Sequence, residues 1–528
     1  MGQLNKIAQY LNQNIVGNVF DKLSIRYAFA EDRSIVKNIP DLVALPETTD
    51  DVRKLLRFSN QLANRGTRLP VVVRGNGHDK TGSATTNGML ISTRKLNKIQ
   101  EIDVRSRLVR VQSGVTLGQL NSALSLYGLT LPVSADEHET IGGLISNCYS
   151  DDYASKYGGI LNFVDRAEVA LVNGDLLRTE TVSHHALSRK KSGINLENEI
   201  YRTTDRLIAE YEAILNRPQN IIDSAGYHTI ALVKNNKTFD LLPLLFSAQG
   251  TLGIITEVIL RPAVLRSHTH FLMANFKTIR PAIDFMNFTK TLQPLMVNIY
   301  DNRILKTAVE NGKKPQIFPH RFGAGFTVLV GFDDKPRLAR KKIRSCLDFL
   351  PESVRVVAED NDNTNDFAEF NNAITSFLNS AKGERAPIID DSFIPPEHLT
   401  QFIADLEQLE TILNAELPLF GSFTSSNYSV RPDLKLEQIS GRQFALSFIQ
   451  SYSRLVQEHA GSITGGGPEG CVKSLALKPP EKEMELFKEI KQVFDPNNIL
   501  GSDIKTGAHN ITTIRRLRAS YNHTIITK

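Results

Sequence analysis

Val71-Val72-Val73-Arg74-Gly75-Asn76-Gly77-His78-Asp79-Lys80-Thr81-Gly82-Ser83-Ala84 is the stretch on which the reading of this chain turns. Leu69 to Val73 reads as a β-strand, and the glycines directly after it let the backbone turn tightly. Glycines so placed bring successive N–H groups close to a diphosphate, where a side chain would block the approach. The loop is therefore an anion cradle. It departs from the dinucleotide fingerprint of a doubly wound sheet: four residues separate Gly77 from Gly82, where that pattern has two, and no acidic residue closes a βαβ unit. Taken alone, the loop is equally readable as a structural turn.

Two further loops change the balance. Thr140-Ile141-Gly142-Gly143-Leu144-Ile145-Ser146-Asn147 is followed by Lys156-Tyr157-Gly158-Gly159 and by a strand, Arg166 to Val172, that closes on Asn173-Gly174. Ser247-Ala248-Gln249-Gly250-Thr251-Leu252-Gly253-Ile254-Ile255-Thr256 forms the third, preceded by Ser224-Ala225-Gly226-Tyr227. Around them, Thr48-Thr49-Asp50-Asp51 opens an amphipathic helix ending at Gly66, and Leu108 to Gln112 and Ile254 to Leu260 read as strands. Apolar residues at helical spacing predict a helix from Glu197 to Leu215, before Arg217-Pro218. Pro262 marks a boundary, after which His268 to Ala274 (strand), Ile279 to Leu292 (helix), Phe326 to Phe332 (strand) and Pro336 to Phe349 (helix) alternate as in a ferredoxin-like unit. A helix from Pro396 to Leu413, a strand near Leu417 to Phe423 and a helix from Glu481 to Val493, stopped at Asp495-Pro496-Asn497-Asn498, complete an α+β pattern.

Composition narrows the class. A chain of 528 residues needs more than one core, and 41% hydrophobic with 23% charged residues is ordinary for a folded protein. The N-terminus lacks an apolar signal core, and apolar runs such as Leu241 to Phe246 and Thr327 to Phe332 are too short for a transmembrane segment, so a cytoplasmic location is expected. Cys148, Cys346 and Cys471 are too scattered for a disulfide framework, a CxxC metal site or an iron-sulfur cluster. A net charge of +5, with Arg515, Arg516 and Arg518 read as a solvated tail, gives no concentrated face for nucleic acid.

The order and spacing of the three loops resemble the FAD-binding family of vanillyl-alcohol oxidase and p-cresol methylhydroxylase (PCMH-type), within it the D-lactate and glycolate dehydrogenase branch of FAD-linked oxidases. The likeness starts at Ile15-Val16-Gly17 and Pro40-Asp41-Leu42-Val43-Ala44-Leu45-Pro46 and runs to Phe494-Asp495-Pro496-Asn497-Asn498-Ile499-Leu500. It implies a PCMH-type FAD-binding domain of two α+β subdomains, then a ferredoxin-like α+β cap supplying most of the substrate pocket. The expected divisions are an N-terminal helical segment at 1–37, the FAD-binding domain at 38–262, the cap at 263–506 and a basic tail at 507–528. Carried over by residue, Arg74, Gly75, Asn76, Gly77, His78, Asp79 and Ser83 would meet the pyrophosphate. Thr140, Gly142, Gly143, Ser146 and Asn147 would line the flavin's other side, and Gly253, Ile254 and Ile255 would approach the adenine half. Gln249 stands where the family has glutamate.

The resemblance also implies chemistry and shows departures. His78 falls where the berberine-bridge-enzyme branch links its flavin, so covalent FAD through His78 is one alternative and a hydrogen-bonding imidazole the other; the second, cysteinyl link of that branch falls on His138 and is lost. Cys148 reads as a small packed residue. The metal-gathering histidines of the dehydrogenases fall on Ser422 and Ser429, and their Glu-His pair on Gly466-Gly467, so a divalent metal is not expected. A lysine that anchors the substrate carboxylate falls on Ile389. Candidate catalytic residues are Arg385, aligned with a substrate arginine or an exposed loop residue; His459, a base of the type that ordinarily titrates near neutrality or a helix-end residue before Gly461; and Tyr428, with Arg431 beside it. The expected activity is oxidation of an alcohol carbon, of a 2-hydroxy acid or a related hydroxylated small molecule, by hydride transfer to flavin N5 with oxygen or a separate electron carrier as acceptor. Alternatives are a sugar or alditol oxidase with covalent FAD, and a flavoprotein whose catalytic pocket has degenerated.

Overall fold

The computed structural model describes residues 2–147, 150–216, 223–266, 269–310, 323–359, 370, 374, 385–508 and 510–521. Cys148 and the Arg217-Pro218 helix stop lie outside them, as does the predicted strand start at His268.

Three sheets organise the chain. The first orders its strands Asn18–Phe20, Leu42–Leu45, Met89–Ser92 and Val71–Arg74, the last three mutually parallel. The strand that feeds the first glycine loop thus sits at one end of this sheet. Its outer edge is covered by a return of the chain from far away: Val71 N–H donates to the Ile499 carbonyl at 2.7 Å and Gly501 N–H to the Val71 carbonyl at 2.8 Å. The second sheet is antiparallel, in the order Ile99–Asp103, Leu108–Gln112, Ile254–Leu260, Val164–Ala170, Leu176–Arg178. Both carry a glycine loop at a strand end, so packing one against the other brings the loops together.

The third sheet, antiparallel and seven-stranded, runs Arg355–Glu359, His270–Phe276, Phe326–Phe332, Met296–Asp301, Leu419–Ser422, Asn427–Val430, Ser392–Phe393. Its first four strands, numbered along the chain, lie in the order 4-1-3-2, the ferredoxin-like arrangement. Helices Ile279–Thr291 and Pro336–Phe349 cover one face. Met296–Asp301 escapes the alternation rule by which strands are read because it is buried on both faces: Val297 and Ile299 pack under those helices, while Met296 and Tyr300 join a second cluster with Ile304 and Leu329. Helix Ile439–Glu458, also unforeseen, presents Ala445, Phe448, Ile449, Tyr452 and Val456 to the cap core at helical spacing. The helix expected over Glu197 to Leu215 is broken at Tyr211 into Leu196–Glu210 and Glu212–Leu215.

The ends of the chain depart from expectation too. The first residues do form a helix, Gly2–Asn14, but Asn18–Phe20 pairs with Leu42–Leu45 and belongs to the first sheet. The solvated basic tail is corrected for its described part. Arg518 is 1% exposed, donates to the Val36 carbonyl at 3.1 Å and to the Asp32 carbonyl, and pairs with Glu31 at 3.3 Å. Tyr521 donates its hydroxyl to the Arg33 carbonyl at 2.6 Å. Carbonyls of residues 32–36 would otherwise be buried without donors, and this is why a guanidinium is drawn inside.

Thr48 caps helix Thr49–Asn64 with Asp51 completing the capping box. Asp51, fully buried, also accepts from the backbone N–H groups of Val16 (2.9 Å), Gly17 (3.1 Å), Glu47 (2.9 Å) and Thr48 (3.2 Å). Burial alone would raise this carboxyl, but the donors outweigh it and hold it below the ordinary value. A depressed carboxyl stabilises the fold above its unfolded pKa and loses that contribution as pH falls. Asp51→Asn is expected to cost about 2 kcal/mol at pH 7. Denaturant titrations should show the gap to the parent protein shrinking as pH is lowered through the carboxylate range, ~4.

Candidate active site

The groove between the first two sheets opens to solvent and spans about 660 Å³ with that solvent included. Val73, Arg74 and the loop Gly75 to Asp79 form one wall, continued by Ser83 and Ala84; Glu139, Thr140, Gly142, Gly143, Ser146 and Asn147 form the other. Thr93 and Ser113 close the floor, with Gln249 and Ile255 at one side.

Local chemistry explains the shape of the first loop. Asp79 accepts from the N–H groups of Thr81 (3.0 Å) and Ser83 (2.8 Å), folding the chain back after the glycines. The Arg74 guanidinium is held by the N-terminal segment, donating to the Glu31 carbonyl at 2.7 Å and to that of Phe29 at 3.3 Å. Burial pulls its guanidinium down to about 10, with nearby Asp32 opposing. Gly77 has φ +79, and a Cβ there would overlap the Arg74 guanidinium. Asn76 donates to the His138 carbonyl at 2.7 Å and so ties the first loop to the second.

The second loop is a short helix, Ile141–Asn147, held by Gly142 N–H donating to the Ser113 carbonyl at 2.8 Å. A Cβ on Gly142 would stand 2.7 Å from Ser113 Cβ and 3.0 Å from its carbonyl oxygen, and one on Gly75 would overlap the Thr140 side chain. Both loops come as close as glycine permits. Gln249, at φ +52, links the third loop to both other parts: its amide donates to Thr81 Oγ1 at 3.3 Å and accepts from Gly470 N–H at 2.9 Å.

One side of the groove is charged. His78 is buried, and its Nε2 lies 3.2 Å from an Arg33 NH2 that can only donate, which places the ring hydrogen on Nδ1, 3.8 Å from Asp136. Arg33 pairs with Asp136 at 3.0 Å. Desolvation pushes the half-buried Glu139 up to about 7, against the pull of Arg33 and Lys80.

Most of the cofactor residues expected from sequence are brought together here: Arg74 to Asp79, Ser83, Thr140, Gly142, Gly143, Ser146, Asn147 and Ile255 all line the groove. Gly253 and Ile254 do not. A Gly253 Cβ would meet Val169, and Ile254, opposite Ala170 in the sheet, is buried in the core of the first subdomain. Strand alternation turns Ile255 toward the groove and Ile254 away. Thr93 and Ser113 left no mark in the sequence because only sheet packing brings them in. Glu139 did leave one, a carboxylate directly before Thr140.

A second cavity of about 500 Å³ lies in the cap, lined by Asn298, Tyr300, Asp391, Phe420, Ser422, Asn427 and Ser429 among others. None of the three expected catalytic residues lines either cavity. Tyr428 is wholly buried, its phenol raised by desolvation, because alternation sends Asn427 and Ser429 to the cavity and Tyr428 into the core. Arg385 donates to the Arg431 carbonyl at 2.8 Å and to Glu416 at 2.9 Å. His459 ends helix Ile439–Glu458 paired with Asp405 at 3.0 Å, its ring edge-on to Phe402. Arg431 is spent on Asp390, 2.6 Å away. All four lie outside both cavities, each buried or held by a protein partner.

Residues 40–180 match the FAD binding domain family and residues 265–503 the C-terminal domain of FAD linked oxidases. The chain belongs to the FAD-linked oxidase flavoproteins. It is 24% identical to a D-2-hydroxyglutarate dehydrogenase of Pseudomonas putida over 93% of this chain and 50% of that protein, so the chain spans about half the length of that relative. A D-lactate dehydrogenase of Archaeoglobus fulgidus is 25% identical, over 87% of this chain and 90% of its own. In fold it is similar to 4-ethylphenol oxidase from Gulosibacter chungangensis (TM-score 0.67, 13% identity, 96% and 97% of the two chains). It is also similar to p-cresol methylhydroxylase (TM-score 0.66, 13% identity, 96% and 97%). No helix among the described residues is long and apolar enough to cross a membrane.

The glycine contacts fit this family's cofactor: Gly75, Gly77 and Gly142 line the groove where packing against Thr140, Arg74 and Ser113 leaves no room for a Cβ, so main chain faces the space, and main-chain donors suit a diphosphate. Ser422 and Ser429 line the cap cavity where the dehydrogenases of the resemblance carry histidines. A side chain on Gly466 would overlap the Asn427 amide and stand 2.6 Å from the Asp391 carbonyl, so a glutamate does not fit there without rearrangement. Among the described residues no three histidines, cysteines or carboxylates gather as metal ligands. Gly142→Val is expected to strip the flavin, lowering the ratio of 450 nm to 280 nm absorbance at least tenfold in purified protein, whereas Gly66→Ala, in open space but at φ +82 and so costing about 1 kcal/mol of backbone strain, should retain it.

Proposed function

We propose that this FAD-linked oxidase oxidises an alcohol carbon, CH–OH to C=O, with oxygen or a separate electron carrier as the final acceptor. The observation that carries the reading is the juxtaposition of the diphosphate cradle with Glu139, a carboxyl held near neutrality on the same wall. Bound FAD would supply the hydride acceptor. Backbone groups of Gly75 to His78 and of Thr140 to Gly143 would hold it, chiefly by main-chain contacts. Glu139 then replaces His459 as the group that takes the hydroxyl proton, since a base titrating near the working pH is the most effective. Relatives named as D-lactate and D-2-hydroxyglutarate dehydrogenases support a CH–OH donor.

Anaerobic addition of alcohols, from D-lactate and D-2-hydroxyglutarate to neutral alditols, tests the reaction class; if none bleaches the 450 nm band of yellow protein, the proposal fails. With a bleaching alcohol, kcat/KM should rise with pH through about 7 as Glu139 loses its proton. Glu139→Gln should keep its flavin, lose that inflexion and slow bleaching about 100-fold.

The linkage at His78 has its own test. Because Arg33 donates to Nε2, that nitrogen's lone pair is engaged, and Nδ1 would have to give up its hydrogen to bond the flavin. Acid precipitation should therefore release yellow colour into the supernatant. Colour kept in the pellet, and lost from it in His78→Ala, would establish a histidyl bond instead.

A further inference from the structure

We propose that the cap cavity binds a neutral polyhydroxylated compound, an alditol or sugar, and not the 2-hydroxy acid after which several relatives are named. Three adjacent strands build its main wall, and their register fixes which residues share it. Asn298 stands opposite Ser422, and Tyr300 opposite Phe420; on the next strand Asn427 and Ser429 stand opposite Ser422 and Phe420. Asp391 adjoins Ser429, its N–H donating to the serine hydroxyl at 2.9 Å. From the other side come Ser150 and Asp152, the latter accepting from the Asn298 amide at 2.9 Å.

This wall carries two carboxyl groups, two carboxamides, several hydroxyls and, among the described residues, no lysine, arginine or histidine. Lys473, the ammonium beside Asp391, does not line the cavity and donates to the Asp390 carbonyl at 2.7 Å. A substrate carboxylate would enter against Asp152 and Asp391 with no cation among the described lining residues to meet it; burial already raises the Asp152 carboxyl, and a further negative charge beside it would be disfavoured more strongly still. Hydroxyl groups, in contrast, donate to carboxylates and to amide oxygens and accept from amide nitrogens. Phe420 adds an apolar surface suited to the C–H face of a polyol.

The amides point the same way independently. Asn427, 5% exposed, leaves both its Nδ2 and its Oδ1 without a partner in the protein, and Asn298, 4% exposed, leaves its Oδ1 so. Buried polar atoms are rarely left unmatched unless a ligand or ordered water completes them, and a polyol's hydroxyls can take the place of such waters. A chain of adjacent hydroxyls, each both donor and acceptor, satisfies a row of amide and hydroxyl groups in a way that a single carboxylate, an acceptor only, does not.

That such a compound is also oxidised rests on the proposed function; that it binds does not. Calorimetry on the purified yellow protein with xylitol, D-sorbitol, D-lactate and D-2-hydroxyglutarate, each at about 1 mM, the top of the usual KM range, separates the two. An alditol is expected to bind at least tenfold more tightly than either anion and to bleach the flavin anaerobically. Asn427→Ala should weaken alditol binding at least tenfold, with flavin absorbance as the check on folding. If that variant is colourless, the ranking of the four compounds on the parent protein still decides. Yellow protein that binds neither alditol, or that binds either anion as tightly, overturns the substrate class and leaves the flavin reading standing. Alditol binding without bleaching keeps the substrate class and sinks the oxidation. Protein that takes up no FAD but binds an alditol does the same.

Discussion

Everything in this molecule is arranged around how closely two stretches of backbone approach each other across the flavin groove. At Gly75 and Gly142 there is no space for one more carbon atom. That restriction is local, yet it is met only if two sheets of different topology present their strand ends at the right height. The parallel strand Val71–Arg74 delivers one loop, and the antiparallel pair Leu108–Gln112 and Ile254–Leu260 delivers the floor of the other. Neither sheet could hold the groove by itself.

The cap is tied to this arrangement by polar contacts concentrated on a few residues. Lys80, three residues beyond Gly77, pairs with Asp390 of the cap at 3.2 Å, and Asp390 is already engaged by Arg431. The two cations together pull that buried carboxyl down to about 2 despite its desolvation. Cys471 and Val472 donate their N–H groups to the Thr81 carbonyl, and Lys505 donates to the carbonyls of Ser224 and Gly226. Buried charges of this kind contribute little net stability when fully paired and a large penalty when one partner is removed. Their effect is to fix where the cap cavity stands relative to the groove.

The glycine loops and the strands feeding them were legible because their signals are local: a run of valines, then residues whose only use is to turn or approach closely. The same holds for helix Thr49–Asn64, whose cap is written in Thr48 and Asp51. What stayed hidden depends on distant partners. Met296–Asp301 is buried on both faces and so shows no alternation, although it carries Asn298 and Tyr300 to the cap cavity. Tyr428 and His459 have the chemical character of catalytic groups, but only the register of Asn427–Val430 and the position of Asp405 show that both are turned elsewhere. Ile254 and Ile255 differ by a single step of pleat, which sequence spacing alone does not resolve.

The clasp that Arg518 and Tyr521 make on residues 32–36 carries a consequence for biosynthesis. Arg33, which contacts His78, is separated by some 485 positions from the groups that secure its backbone. The same is true of Val71 and its cover at Ile499. Contacts so remote in sequence form late. During synthesis the segments around Arg33 and Val71 would therefore stay without these partners until residues 499–521 had been made.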